Sequence, residues 1–334
     1  MTEPDLNQPE VVVLGSFMMD LAIRAPRRPG PGETVIGTGF EMFLGGKGFN
    51  QAIAAARAGA RTAMIGHLGT DEFADRFTAQ LTTDGIDTTH VHHHPEVGTG
   101  IGVPLVEDSG ENSIVVIPRA NTYLRPDHVA AAAGTIASAS VLLLQFEVPF
   151  DTICAAARMA HDAGLTVICN PAPARTDITE LHGLIDVIVP NENEATLLTG
   201  QSGGNPTAEK LALDLHLRTG AVTVLTLGAA GALLVDGGSS QLLTPHEVTV
   251  LDTVGAGDAF CGVLAAHLAA GHSVGDAAMG ANAAGALAVT RQGAEPSMPT
   301  RQAVTDLLSN GADSRIAVGS MDAGRDTTYE DRQP

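Results

Sequence analysis

The chain has 334 residues, 44% of them hydrophobic, with 18 basic against 38 acidic residues and a formal net charge of −20. That length allows two domains or one large α/β domain, and the apolar content is enough for a sizeable core. So acidic a chain argues against nucleic acid and against anionic membranes as partners, and it requires any bound phosphate to be held by local donors and a metal ion.

Residues 1–10 are polar and read as a flexible N-terminus without the apolar stretch of a signal peptide. No apolar run is long enough to span a bilayer. Three scattered cysteines, Cys154, Cys169 and Cys261, lie in apolar surroundings and fit free thiols in a reducing compartment. The expectation is a cytoplasmic protein.

From Val11 onward, short β-branched or Leu-rich runs recur at Val11–Leu14, Thr62–Ile65, Val141–Leu144, Thr166–Cys169, Val187–Val189, Val222–Thr226 and Ala232–Val235. Helix-length segments separate most of them: Asn50–Ala58, Phe73–Thr83, Pro126–Ser138, Phe150–Ala163 and Thr207–Thr219. Strands that are apolar throughout, alternating with helices, predict an α/β fold with a doubly wound, mostly parallel sheet. Two stretches break the alternation. Ile23–Leu44 carries Pro26, Pro29 and Pro31 around a strand-like Glu33–Phe43, and His92–Pro118 alternates like antiparallel strands. They predict a small β-sheet lid inserted at about 22–45 and 91–119. The run His90-Val-His-His-His94 reads as a polar strand end rather than a metal site, because neighbouring strand residues face opposite sides. The C-terminal part turns helical at Ala256–Ala270, Val274–Thr290 and Thr300–Ser309, and residues 313–334 read as a disordered tail.

Chemistry-bearing residues gather where strands end. Asp20 follows the first strand, and Glu147 follows Val141–Leu144; each is placed to enter a crevice or to serve as a cap. Gly45-Gly46-Lys47-Gly48-Phe49-Asn50-Gln51 opens a helix, with glycines that admit a ligand to the backbone and an Asn that both donates and accepts. Gly48 after Lys47 rules out a Walker A loop. Asn191-Glu-Asn-Glu194 suits Mg²⁺ held through water, and equally an N-cap with acids in the first turn. Thr226-Leu-Gly228-Ala-Ala-Gly231 lines a nucleotide or turns a hairpin. Asp252-Thr-Val-Gly-Ala-Gly-Asp258 sets backbone N–H groups beside a carboxylate, which is what phosphoryl transfer to an alcohol requires; taken alone it is also a tight strand-to-helix turn.

In their joint order these runs resemble the ribokinase branch of the PfkB carbohydrate kinase family, from about Val11 to Leu308. Asn170-Pro-Ala-Pro-Ala174, Pro190-Asn-Glu-x-Glu-Ala195 and Val289-Thr-Arg-x-Gly-Ala294 share in the resemblance. The resemblance implies a kinase domain over 11–312 with Asp258 as base and Gly255, Ala256 and Gly257 as the anion hole. It implies that Met18, Asp20, Gly45, Gly46, Lys47, Asn50 and Glu147 face the sugar. Asn191, Thr226, Gly228, Gly231, Gly257 and Asn282 would lie along ATP, with Glu194 organising Mg²⁺ through water. An activating K⁺ would sit among Asp252, Val254, Ala288, Arg291, Gly293 and Ser297. A homodimer through the β lid is also implied.

The resemblance makes the 5-hydroxyl of D-ribose the expected acceptor. Met18 stands where many relatives carry Asn, and a thioether tolerates a missing hydroxyl, so 2-deoxyribose is the alternative. Phe49 either narrows the pocket or packs inward. A nucleoside kinase fits poorly with an aromatic content of 3%. A non-catalytic sensor on the same fold would have lost the base or the anion hole. A dinucleotide oxidoreductase would need Gly-x-Gly-x-x-Gly after the first strand.

Overall fold

A computed structural model describes residues 8–201, 204, 206–310 and 318–319. Val11–Leu14 (β1) is buried along its whole length. Val11 and Val13 join one apolar cluster and Val12 and Leu14 another, so the sheet is covered on both faces. Met18–Ala25 (β2) and Gly39–Gly45 (β3) follow, then the helix Lys47–Arg57 (α1), Thr62–Leu68 (β4), Glu72–Thr83 (α2) and Asp87–His93 (β5). Next come Gly100–Glu107 (β6), Asn112–Ile117 (β7), Pro126–Ala131 (α3), Ala133–Ser138 (α4), Val141–Leu144 (β8), Phe150–Asp162 (α5) and Thr166–Cys169 (β9). Val187–Ile188 (β10), Glu192–Thr199 (α6), Ala208–Thr219 (α7), Val222–Thr226 (β11), Ala232–Asp236 (β12) and Ser239–Leu243 (β13) complete the sheet region. Ala256–Ala269 (α8), Val274–Ala288 (α9), Arg301–Asn310 (α10) and the two-residue strand Val318–Gly319 (β14) end the described chain.

Ten of these strands form one sheet in the order β14-β13-β12-β11-β10-β9-β8-β1-β4-β5. From β11 to β5 every pairing is parallel, and β12 to β14 add antiparallel pairings at one edge. Side chains of α1, α8 and α9 fill one apolar cluster, and those of α5, α6 and α7 fill the other. A separate four-stranded sheet has the order β3-β2-β6-β7. The expected α/β architecture with a small β sheet is present.

Several local expectations shift. Asp20 lies inside β2 rather than in a loop after β1, paired opposite Phe43 and Gly102. The strand expected at Glu33–Phe43 forms instead at Gly39–Gly45, where β2 supplies its ladder partner. His90–His93 pair with Ile65–Leu68 in the large sheet, so the small sheet's second segment begins at Gly100. Pro126–Ser138 divides into two short helices at Ala132. Phe49 packs inward, fully buried, edge-on to Phe77 at 4.8 Å between ring centroids. The N-terminal expectation before residue 8 lies outside the described residues, as does the tail except Val318–Gly319, which pair with β13. Among the described residues no helix is long and apolar enough to cross a membrane.

Candidate active site

Helix α8 begins just after Gly255, whose φ of 81° is a left-handed conformation that disfavours a side chain. No side chain caps this helix, and Gly255, Gly257 and Asp258 at its start line a cavity of about 210 Å³, whereas Ala256, expected beside them, does not line it and its N–H donates to Thr253 O at 3.4 Å. A methyl group on Gly257 would meet nothing within 4 Å, so the space above the helix start is free. Asp258 sits in the first turn and is 7% exposed.

A second uncapped helix start faces the same region. Helix α1 begins after Gly46, which has a φ of 94°. The Lys47 N–H donates to Glu147 Oε2 at 2.9 Å, and the Ser16 hydroxyl donates to the same oxygen. Burial alone would lower the Lys47 pKa, but the carboxylates of Asp258, Glu147 and Glu194 together outweigh it and hold the ammonium above its usual range. One turn on, Asn50 Nδ2 donates to Asp258 Oδ2 at 2.9 Å, and Gln51 Nε2 donates to Asp258 Oδ1 at 2.9 Å. Asn50 Oδ1 is buried with no hydrogen-bond partner, which leaves one acceptor beside the carboxylate for an incoming hydroxyl.

The small sheet supplies the remaining acid. Met18 and Asp20 lie on one face of β2, two residues apart. The glycines opposite them leave room for both side chains: a side chain on Gly45 or Gly102 would collide with the Asp20 carboxylate, and one on Gly100 would stand 2.8 Å from Met18 Sδ. Burial, then the charges of Glu147 and Asp258, push the Asp20 pKa up to about 7. Met18 is buried and lies 3.7 Å from Asn121 Nδ2.

On the large-sheet side, Asn191, Glu194 and Thr226 line the same cavity as Lys47 and Asp258. Asn191 and Glu194 form a reciprocal capping box on α6: Asn191 N and Nδ2 donate to the two Glu194 oxygens at 2.9 Å each. Burial raises the Glu194 pKa against the opposing effect of the Asn191 hydrogen bonds. Gly228 and Gly231 turn the antiparallel hairpin between β11 and β12 and do not line this cavity. Asn282, on α9, borders a separate hollow of about 50 Å³ with His246 and Met279, and its Nδ2 donates to Thr244 O at 2.7 Å.

The residues expected around K⁺ converge through Asp252. Its Oδ1 accepts from Val254 N at 3.0 Å and its Oδ2 from Gly293 N at 2.9 Å. The segment 288–297 is turned on itself, with Arg291 N donating to Ala288 O at 3.2 Å and Ser297 Oγ to Ala294 O at 2.7 Å. It packs beneath the turn that enters α8: a side chain on Gly255 would meet Ala294 Cα at 3.0 Å.

Sequence reasoning gave no role to Gln51, Gln145, Asn170, Thr253 or Cys261. Asn170, Thr253 and Cys261 line the cavity, and Gln51 holds the carboxylate. Gln51, Asn170 and Thr253 stand within the runs 45–51, 170–174 and 252–258, so the signal was present without a direction.

The pfkB family carbohydrate kinase pattern matches residues 8–301. A ribokinase of Haemophilus influenzae is 38% identical over 301 residues, covering 90% of this chain and 98% of its own. A deoxyribokinase of Salmonella typhi is 32% identical over 305 residues, covering 90% and 99%. The structure of Arabidopsis thaliana ribokinase complexed with ribose and ATP superposes with a TM-score of 0.83 at 29% identity, over 90% of this chain and 99% of that one. With motif order, fold and full-length likeness agreeing, the chain belongs to the pfkB family of carbohydrate kinases.

Proposed function

We propose that this protein phosphorylates the 5-hydroxyl of D-ribose with ATP, giving ribose 5-phosphate and ADP. The observation that carries the reading is a buried carboxylate, Asp258, at an uncapped glycine helix start, sharing one cavity with Lys47 and with the strand-end residues Asn191 and Thr226. The ribokinase complexed with ribose and ATP supports the choice of both substrates.

In this reading the 5-hydroxyl gives its proton to Asp258 as its oxygen bonds to the γ-phosphorus. The bond from that phosphorus to the bridging oxygen breaks, and its electron pair leaves on ADP. The first-turn N–H groups of α8 face the transferred group, each well-aimed donor contributing roughly 2.7–4 kcal/mol. Asp20, Asn50 and Glu147 grip sugar hydroxyls, and the orphaned Asn50 oxygen is an acceptor fitted to that task. Gly45, Gly46 and Lys47 complete that side. Asn191, Thr226, Gly228, Gly231 and Asn282 are assigned to the nucleotide.

Mg²⁺, when bound, neutralises charge on the phosphates. Glu194 fits it through water rather than as a direct ligand, because both its oxygens already accept from Asn191. K⁺, when bound, adds positive charge beside the anion hole. Asp252, Val254, Ala288, Arg291, Gly293 and Ser297 fit it in that their two segments are tied together by the Asp252 carboxylate. The small sheet acts as the lid over the sugar. Ile114, Val115, Val116 and Ile117 on its edge strand, and Phe40 on β3, are exposed, which supports a homodimer through the lid. A cytoplasmic location accords with three buried free thiols.

A second reading, 2-deoxyribose as acceptor, is favoured by one feature: Met18 offers a thioether on the sugar side. A coupled ADP-release assay with ribose, 2-deoxyribose, fructose and adenosine, with and without K⁺, tests all of this. Ribose is expected to give the highest kcat/KM, and Asp258→Asn to lower turnover at least about a hundredfold. Adenosine as the best acceptor, or near-normal turnover without the Asp258 carboxylate, would sink the assignment.

A further inference from the structure

Gln51 is fully buried and every polar atom of its side chain is used. Its Nε2 donates to Asp258 Oδ1 and, at 3.2 Å, to Asn170 Oδ1; its Oε1 accepts from Gln145 Nε2 at 2.6 Å. Asn170 is oriented in turn, because its Nδ2 donates to Val189 O at 2.8 Å. An amide looks nearly the same turned over, yet the turned-over form would aim oxygen at a carboxylate. Here the acceptor on Asn170, itself held by Val189 O, permits only one orientation of Gln51, and Gln145, whose own Oε1 is buried without a partner, satisfies the Gln51 oxygen in that orientation. The chain of amides ties the Asp258 carboxylate to residues that follow β8, β9 and β10.

We propose that Gln51 is a positioning residue for the phosphoryl-transfer base, and that Gln145 acts on the base through it by satisfying the Gln51 oxygen on the side away from Asp258. Gln51 occupies Oδ1, so the oxygen held by Asn50, next to that residue's unpartnered acceptor, is the one turned to the sugar alcohol. The proposal deepens the proposed function and rests on its reading of Asp258 as the base. Gln145 makes no hydrogen bond to Asp258, and its one side-chain bond goes to Gln51, so its hydrogen bonding reaches the base through Gln51.

The test is kcat against pH at saturating sugar and ATP for the full chain, with Gln51→Met, Gln145→Met and Asp258→Asn. Gln51→Met removes a donor from an ionised carboxylate, which favours its protonated form. The acid limb is expected to move up by about one pH unit and kcat to fall about tenfold, with KM for both substrates within about threefold. Gln145→Met is expected to move the limb in the same direction by less. Asp20, Glu147, Lys47 and Glu194 face the same region in every variant, so the shift relative to the parent isolates the amide chain. Should Gln51→Met not fold, Gln145→Met decides alone, since it leaves both donors to Asp258 in place. An unmoved acid limb and kcat within twofold of the parent, with Asp258→Asn inactive, overturns this inference while leaving the base assignment standing. Near-normal turnover in Asp258→Asn removes both.

Discussion

Helices α2, α7 and α9 begin differently from α1 and α8. The starts of α2, α7 and α9 are capped by Asp71, Thr207 and Ser273, whose side chains accept from the N–H three residues on. The starts of α1 and α8 have no side-chain cap, and each is preceded by a glycine with positive φ. The first group spends its backbone donors on its own stability. Helix α8 turns first-turn donors toward the cavity, where a charged ligand can supply the acceptor, whereas α1 gives its own to Glu147 Oε2 and Ser16 O. Helix α6 stands between the two, since it lines the cavity yet carries a complete capping box.

Substitutions at the two kinds of helix start should therefore separate activity from stability. The largest effect is expected from Gly257→Ala. A methyl group there meets no protein atom and alanine favours the helix, so the melting temperature should hold or rise slightly. The same methyl intrudes where the transferred group must lie, and kcat should fall at least about a hundredfold, the low end of the cost of a lost oxyanion donor. A protein that melts earlier with kcat intact would break the contrast.

Asp20 sharpens it by pH. Its pKa, raised above the unfolded value, means that the free protein gains stability from this group at low pH and loses it as pH rises through about 7. Sugar hydroxyls that donate to the ionised carboxylate must draw its proton off, so KM for sugar should rise as pH falls below about 7, by up to about tenfold per unit. Calorimetry of sugar binding in two buffers of different ionisation enthalpy should show proton release near pH 7. Equal heats in both buffers would refute the linkage. The smallest effect belongs to the capped class. Ser273→Ala should cost about 1 kcal/mol and lower the melting temperature by about 2 °C, with kcat and both KM values unchanged.

The alternation of apolar strands with helices made the large sheet legible in advance, because both faces of its parallel strands are buried and their residues are uniformly apolar. β2 and β5 escaped notice for the opposite reason: Met18–Ala25 is interrupted by Asp and Arg, and Asp87–His93 is a polar strand at the sheet's edge. Asp258, Lys47 and Asn50 stood out because charge and glycine spacing mark them. Gln51, Gln145 and Asn170 did not. Their role rests on which way uncharged amides point, and on contacts between positions 94 to 207 residues apart in the chain. Gly102 was equally silent, since its contribution is the absence of a side chain against Asp20.

Gly262 on α8 lies so close to α1 that a methyl group there would stand 2.5 Å from Gln51 O. The two helices touch backbone to backbone, and the proposed base travels with Asn50 and Gln51 as one unit. Met18 and Asp20 ride on a different sheet. Residues of β2 can therefore change in a descendant of this protein without disturbing the seam between α1 and α8.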